Sequence, residues 1–306
     1  MRKIIIDCDP GHDDIMAVFT ALAHADELEI LGITTVSGNQ TLAKVTANIL
    51  KVQDYFGLHI PVYMGYDRPI IKPQEVQPAA HGESGMDGPV LPDPVSEPQP
   101  EHALDYLRRT LEAEDRVTLV ALAPLTNIAL FLKTYPRLAE KIECIALMGG
   151  AVNGGNIQKK SEFNIWQDPE AAAIVFASGV PVVMAGLEVC NAGSILLSEA
   201  EEFKHGGKAS KFCYDLMKFY GLYAVNRGWD RTPIFDITPV IWLLYPELFK
   251  AEQMDVDIEL NGEFTRGMTV CTTSTGKPHT VLLDTDREAF IGVFLDALKK
   301  LDQMYA

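Results

Sequence analysis

The chain has 306 residues, of which 47% are hydrophobic and 22% charged, an ordinary globular composition with room for a large buried core. Its net charge of −16 argues against phosphate-rich polymers and anionic membranes, so neither a nucleic-acid polymer nor a membrane is expected as a partner. Small ligands stay open, because a bound cation can reverse the field locally.

In chain order, the apolar run Lys3–Ile6 predicts a first strand. It is too short for a signal peptide or a membrane span. A helical pattern follows over Asp14–Ala23, then a strand over Glu29–Val36 and a helix over Leu42–Tyr55. The stretch Asp67–Pro100 is irregular, rich in Pro and Gly, and carries "HGESGMDGP" at His81–Pro89. A loop of this length in a compact domain reads as a functional lid or a disordered segment. Strands are expected at Arg116–Leu122, Ile142–Met148 and Val180–Gly186, with helices at Leu125–Thr134 and Pro169–Ala177. The last third predicts helices at Ser210–Asn226 and Ile237–Leu244, strands near Met254–Leu260, Met268–Thr272 and Thr280–Leu283, and a closing helix at Arg287–Leu301. Near-continuous apolar strands alternating with helices predict an α/β fold with a mostly parallel central sheet and helices on both faces. No repeat or linker divides the chain, so one domain over residues 1–306 is expected. The cysteines (Cys8, Cys144, Cys190, Cys213 and Cys271) are scattered and form no C-x-x-C pair, as expected of reduced thiols in a cytoplasmic protein.

The chemistry concentrates first in "DCDPGHDD", Asp7–Asp14. On a continuing strand, Asp7 and Asp9 would share a face. Pro10-Gly11 turns the chain, and Asp13 and Asp14 open a helix, where carboxylates meet the positive end of the helix dipole. Capping needs one or two carboxylates rather than four. The cluster falls at the carboxyl end of a strand, where open α/β sheets bind ligands. Oxygen ligands at this density suit a hard cation, Ca²⁺ or Mg²⁺. D-x-D after an N-terminal strand also resembles the haloacid-dehalogenase-like phosphotransferases, with Asp7 as nucleophile and Asp9 as acid/base. That family usually has Gly-Thr next, where this chain has Pro10-Gly11-His12, and Asp13 and Asp14 would go unexplained.

The whole string more closely resembles the nucleoside hydrolases, the inosine-uridine-preferring ribohydrolase family. "SGNQ" at Ser37–Gln40, "HGESGMDGP", "APLTNIA" at Ala123–Ala129, "LMGGA" at Leu147–Ala151 and "EFNIWQDPEAA" at Glu162–Ala172 fall in that family's order and approximate spacing. The resemblance implies a single-domain nucleoside hydrolase fold with a Rossmann-like core, acting on ribonucleosides to give ribose and free base. It further implies that Asp9, Asp14, the Leu122 carbonyl and Asp236 hold Ca²⁺, with Asp9 also taking a proton from the attacking water. Asp7 would orient neighbours. Asp13 and Asn164 would hold the ribose 2′- and 3′-hydroxyls with Asn39 close by, and Asn156 and Glu162 the 5′-hydroxyl. Asp168-Pro169 reads as a helix start. A homodimer or homotetramer is the family's habit.

One position departs from the pattern. Members that cleave purine and pyrimidine nucleosides alike commonly place a His before the last metal-binding Asp, to protonate the leaving base. Here Phe235 stands there, within "PIFDIT". Phe packs or stacks but donates no proton. Three consequences are open: another acid (His81, Tyr223 or Arg231), a leaving group that needs less help, or a non-catalytic nucleoside or ribose binder. His81 is the favoured acid; Phe235 is expected to line the base site. Trp229 could line it too, or serve an interface. His12 receives no role.

Overall fold

The computed structural model describes residues 1–276 and 278–306. Its strands, in chain order, are β1 (Arg2–Cys8), β2 (Leu28–Thr35), β3 (Val62–Met64), β4 (Val117–Ala121), β5 (Ile142–Met148), β6 (Val182–Ala185), β7 (Ile195–Leu196), β8 (Arg231–Thr232), β9 (Phe249–Ile258), β10 (Thr269–Thr273) and β11 (His279–Thr285). Nine of them form one sheet in the order β10-β9-β11-β6-β5-β4-β1-β2-β3, and β7 pairs with β8 in a separate ribbon. The pairings from β3 across to β11 are all parallel, whereas β9 runs antiparallel to both of its neighbours. The expected mostly parallel sheet is therefore present, with an antiparallel edge.

The core splits along the period-two alternation of the strands. Ile4, Ile6 and Cys8 of β1 face one cluster, which the helices His12–Leu22, Lys208–Tyr220, Ile237–Leu244 and Arg287–Met304 cover. Ile5 faces the other, packed with Leu107 and Leu111 of Ala103–Ala113, Ile128 and Phe131 of Thr126–Thr134, and Val175 of Pro169–Phe176. Helices thus cover both faces. β1 stops at Cys8, so strand alternation does not carry through to Asp9.

The chain leaves β1 to build β2 and β3 on one side, then returns to place β4 on β1's other side. That reversal is the topological switch point, where crossover connections diverge and leave a crevice at the strands' carboxyl ends. The segments following Cys8, Thr35, Ala121, Met148 and Ala185 all open onto that edge, and they carry the motifs singled out above. Among the described residues, no helix is long and apolar enough to cross a membrane.

Candidate active site

A cavity of about 350 Å³ opens at this edge. Its wall includes Asp13, Asn39, His81, Leu122, Asn156, Glu162, Asn164, Phe235 and Asp236, drawn from positions more than two hundred residues apart. Of the expected metal- and ribose-binding residues, Asp9 and Asp14 are absent from the wall. Both are buried, and Asn39 links them to it: its backbone N–H donates to Asp9 Oδ2 at 2.6 Å, and its side-chain amide to Asp14 Oδ2 at 3.3 Å.

The aspartate loop is shaped by its own backbone. The Gly11 N–H donates to Asp14 Oδ2 at 2.9 Å and the Asp9 N–H to Asp14 Oδ1 at 3.2 Å, which turns the chain tightly into the helix that starts at His12. Asp13 Oδ2 accepts the Tyr220 hydroxyl at 3.0 Å. Carboxylate oxygens of Asp13, Asp14 and Asp236 lie within 4.8 Å of one another, and all three residues are buried. Asp9 Oδ1 and Asp13 Oδ1 are buried with no hydrogen-bond partner among the described residues. Burial first, then mutual repulsion, drives these groups toward protonation. Asp14 is pushed up to about 7, and Asp9 and Asp236 rise well above the usual carboxylate range. Like charges gathered away from water with partnerless oxygens are a poor arrangement by themselves and a good one around a divalent cation. The donor set is all oxygen, as hard cations prefer.

Asp7 stands apart. Thr34 donates to its Oδ1 at 2.5 Å and Asn127 at 2.7 Å, so it braces β1 against β2 and the start of the Thr126–Thr134 helix. Burial raises it to about 6. Asn164 donates through one amide nitrogen to the Leu122 carbonyl at 3.0 Å and the Met148 carbonyl at 3.1 Å, tying the ends of β4 and β5 together. Leu122 keeps a second carbonyl lone pair. Glu162 caps the Phe163–Gln167 helix, accepting the N–H groups of Asn164 at 2.9 Å and Ile165 at 3.2 Å, and also reaches Gly150 N–H at 2.9 Å. Burial pushes it up to about 7 despite those donors. Asn156 is exposed and accepts the Phe163 N–H at 2.9 Å. Asp168 accepts from Ala171 N–H at 3.1 Å and Thr126 Oγ1 at 2.6 Å, the structural cap expected of it.

The far end of the cavity is aromatic. Phe235 is half-buried there, and Tyr223 and Trp229, 38% and 53% exposed, sit edge-to-face at the mouth. Arg231 turns to Asp230 at 3.0 Å and is not on the wall. His81 ends the short helix Pro78–His81 and is buried on the wall, with its basicity lowered to about 4 by burial. Two contributors escaped the sequence reading. Tyr220 reaches Asp13 from 207 residues away, and His12 touches His81, with Nδ1 atoms 3.2 Å apart. Neither pairing leaves a local pattern.

Comparison with known proteins places these features in a wider set. A family model described as inosine-uridine preferring nucleoside hydrolase matches residues 4–292. A pyrimidine-specific ribonucleoside hydrolase RihA of Escherichia coli O1:K1 is 41% identical, over 97% of this chain and 98% of that protein. The RihA of Klebsiella pneumoniae strain 342 is 42% identical, over 96% and 97%. Among solved structures, a purine-preferring ribonucleoside hydrolase from Gardnerella vaginalis superposes with a TM-score of 0.92 at 30% identity, covering 99% of this chain and 100% of that one. The plant nucleoside hydrolase PpNRh1 superposes with a TM-score of 0.91 at 29% identity, covering 97% and 99%.

Proposed function

The chain belongs to the inosine-uridine preferring nucleoside hydrolase family, and on that premise we propose that it cleaves pyrimidine ribonucleosides with the help of Ca²⁺. Hydrolysis of a ribonucleoside's N-glycosidic bond to ribose and free base is the activity its family and relatives carry. The preference for pyrimidines is supported by the two RihA relatives at 41% and 42% identity, and the purine-preferring relative at 30% is the competing guide.

The observation that carries the site reading is the gathering of Asp13, Asp14 and Asp236 within 4.8 Å beside buried oxygens of Asp9 and Asp13 that have no partner among the described residues. Asp9, Asp14, the Leu122 carbonyl and Asp236 would hold the cation. When bound, it supplies positive charge that lowers the pKa of a nearby water and anchors sugar hydroxyls. Asp9, with Oδ2 pinned by the Asn39 N–H, keeps Oδ1 free to accept the proton of the attacking water. Asp13, with one oxygen held by Tyr220, keeps the other for a ribose hydroxyl; Asn164 and Asn39 serve the 2′,3′ side, and Asn156 and Glu162 the 5′-hydroxyl. Each sugar hydroxyl both donates and accepts, so several polar groups are needed. The bond to the base breaks through an oxocarbenium-like state, and the departing base meets Phe235 and His81. His81 serves as the leaving-group acid that Phe235 cannot be. A cytoplasmic location and a homodimer or homotetramer complete the reading.

The test is release of reducing sugar from uridine, cytidine, inosine and adenosine, with Ca²⁺ and with chelator. Turnover of uridine and cytidine that chelator abolishes, and that Asp9→Asn lowers by about 10³-fold or more with an unchanged circular dichroism spectrum, is the expected result. Faster turnover of inosine than of uridine would overturn the pyrimidine assignment, and full turnover in chelator would overturn the metal assignment.

A further inference from the structure

His12 belongs to none of the roles above, yet it is fully buried beside the cavity wall. Its ring lies against Phe219 and Tyr220, with centroids 5.5 Å away in each case and interplanar angles of 9° and 21°. Both ring nitrogens are engaged. Nε2 is 2.7 Å from the Asp87 carbonyl oxygen, and Nδ1 is 3.2 Å from Nδ1 of His81.

These contacts fix hydrogens by elimination. A carbonyl oxygen only accepts, so His12 Nε2 carries a hydrogen. In the neutral ring, Nδ1 is then a bare lone pair. Two nitrogens 3.2 Å apart make a hydrogen bond only if one of them donates, so His81 Nδ1 must carry the hydrogen. His81 Nε2 is left without one. It makes no hydrogen bond to the described protein and is not among the buried partnerless atoms, and His81 lies on the cavity wall.

The segment that supplies the carbonyl is itself well tied. The Asp87 N–H returns to the His81 carbonyl at 3.1 Å, and the Asp87 carboxylate accepts Glu83 N–H at 3.1 Å and Ser84 N–H at 3.0 Å. Both ends of the two-histidine chain are therefore anchored in one closed turn.

We propose that His12 is a positioning residue: by accepting the Nδ1–H of His81, it locks that ring in one tautomer and presents the Nε2 lone pair to the ligand in the cavity. This deepens the proposed function and rests on its placing of His81 against the leaving base. To act as the acid, His81 first takes a proton from solvent at Nε2, becoming an imidazolium whose Nδ1–H His12 still accepts, and then passes that Nε2 proton to the departing base, returning to the neutral tautomer. The device is analogous to the way a second hydrogen bond sets the tautomer of a metal-bound or catalytic histidine.

The experiment uses full-length, Ca²⁺-loaded protein with ¹⁵N-labelled histidine. Two-bond ¹H–¹⁵N correlation spectra are recorded for the parent, His12→Phe and His12→Asn, with His81→Ala for assignment. In the parent, His81 should show protonated Nδ1 and bare Nε2. His12→Phe keeps the ring stack but removes the acceptor. His81 should then shift toward the Nε2–H form, with kcat down about 10- to 100-fold and KM within about 2-fold of the parent. His12→Asn places an amide oxygen near the lost Nδ1 and should recover most of both signals. A parent His81 protonated at Nε2, or a His12→Phe protein with parental spectrum and kcat, overturns the proposal. Parental kcat in His81→Ala would overturn the placing of His81 against the base. The tautomer spectrum decides the role of His12 separately.

Discussion

Phe235 concentrates the residue-scale question of how the base departs. It precedes Asp236, and its carbonyl accepts the Thr238 N–H at 3.1 Å, so its backbone is fixed by the start of the Ile237–Leu244 helix. Its ring is half-buried, packs against the core and has no proton to give. On the proposed reading it would contribute binding area, and His81 the proton that the departing base needs. Phe235→Ala should raise KM for uridine by about 10-fold through lost apolar contact, with kcat changed only a few-fold. His81→Ala should lower kcat by about 10²- to 10⁴-fold with little change in KM. Steady-state kinetics of the two variants check this division; equal kcat losses in both would sink it. At this scale, Asp7 to Asp14 were legible in the sequence because the carboxylates are neighbours along the chain and their crowding is itself improbable. The contacts that orient them were not. Tyr220 meets Asp13 and His12 meets His81 through the fold, across 207 and 69 residues, and nothing local at Tyr220 or His12 records it.

At the scale of elements, the segment that carries His81 is the most demanding. Gly82 follows the Pro78–His81 helix with φ at +79° and ψ at 179°, a conformation open essentially to glycine alone. A Cβ there would also lie 2.1 Å from Cγ of Asp87, the side chain that closes the turn. Gly82→Ala should therefore displace His81, costing about 1–3 kcal/mol of local strain. Because Met86 is the one residue of this turn that joins a core cluster, the expected signature is kcat reduced by about 10-fold or more with a melting temperature within a few degrees of the parent. Thermal denaturation followed by circular dichroism, run beside the kinetics, tests it; a parental kcat would show that the turn tolerates the methyl group. Long periodic elements were legible: the strand at Ile142–Met148 and the helix at Ile237–Leu244 fall where their apolar patterns end. Short ones were not. β3 has only three residues, and the helix Ala103–Ala113 follows a Pro-rich stretch that masks its start. The helix expected over Ser210–Asn226 is interrupted at Gly221, between Tyr220 and Leu222. That break puts Tyr220 at a helix end facing Asp13, and periodicity alone runs straight through it.

Across the whole molecule, the parallel sheet was readable because its strands are buried on both faces and so carry unbroken apolar runs. The antiparallel edge was placed only approximately, because half of β9 is exposed and the strand is weakly patterned. The same burial that makes the fold legible stores an electrostatic cost at its centre. In the metal-free protein Asp7 is raised to about 6, Asp14 and Glu162 to about 7, and Asp9 and Asp236 well above the ordinary carboxylate range. Unfolded carboxylates titrate near ~4. The folded state thus binds more protons than the unfolded state from about pH 4 upward, so stability falls as pH rises through 7. His12 and His81, lowered to about 4, act in the opposite sense, but only below their unfolded value of about 6.5. Above pH 6.5 the carboxylates act unopposed by those two rings. In chelator, the melting temperature should therefore decline between about pH 6.5 and 8. If Ca²⁺ binds these oxygens as proposed, it would compete with protons for them, so its stabilisation should be larger at pH 8 than at pH 6. Melting curves at both pH values, with Ca²⁺ and with chelator, decide the matter. A flat profile in chelator would mean that the cluster does not titrate as its burial requires, and an equal Ca²⁺ shift at both pH values would mean that the ion binds elsewhere.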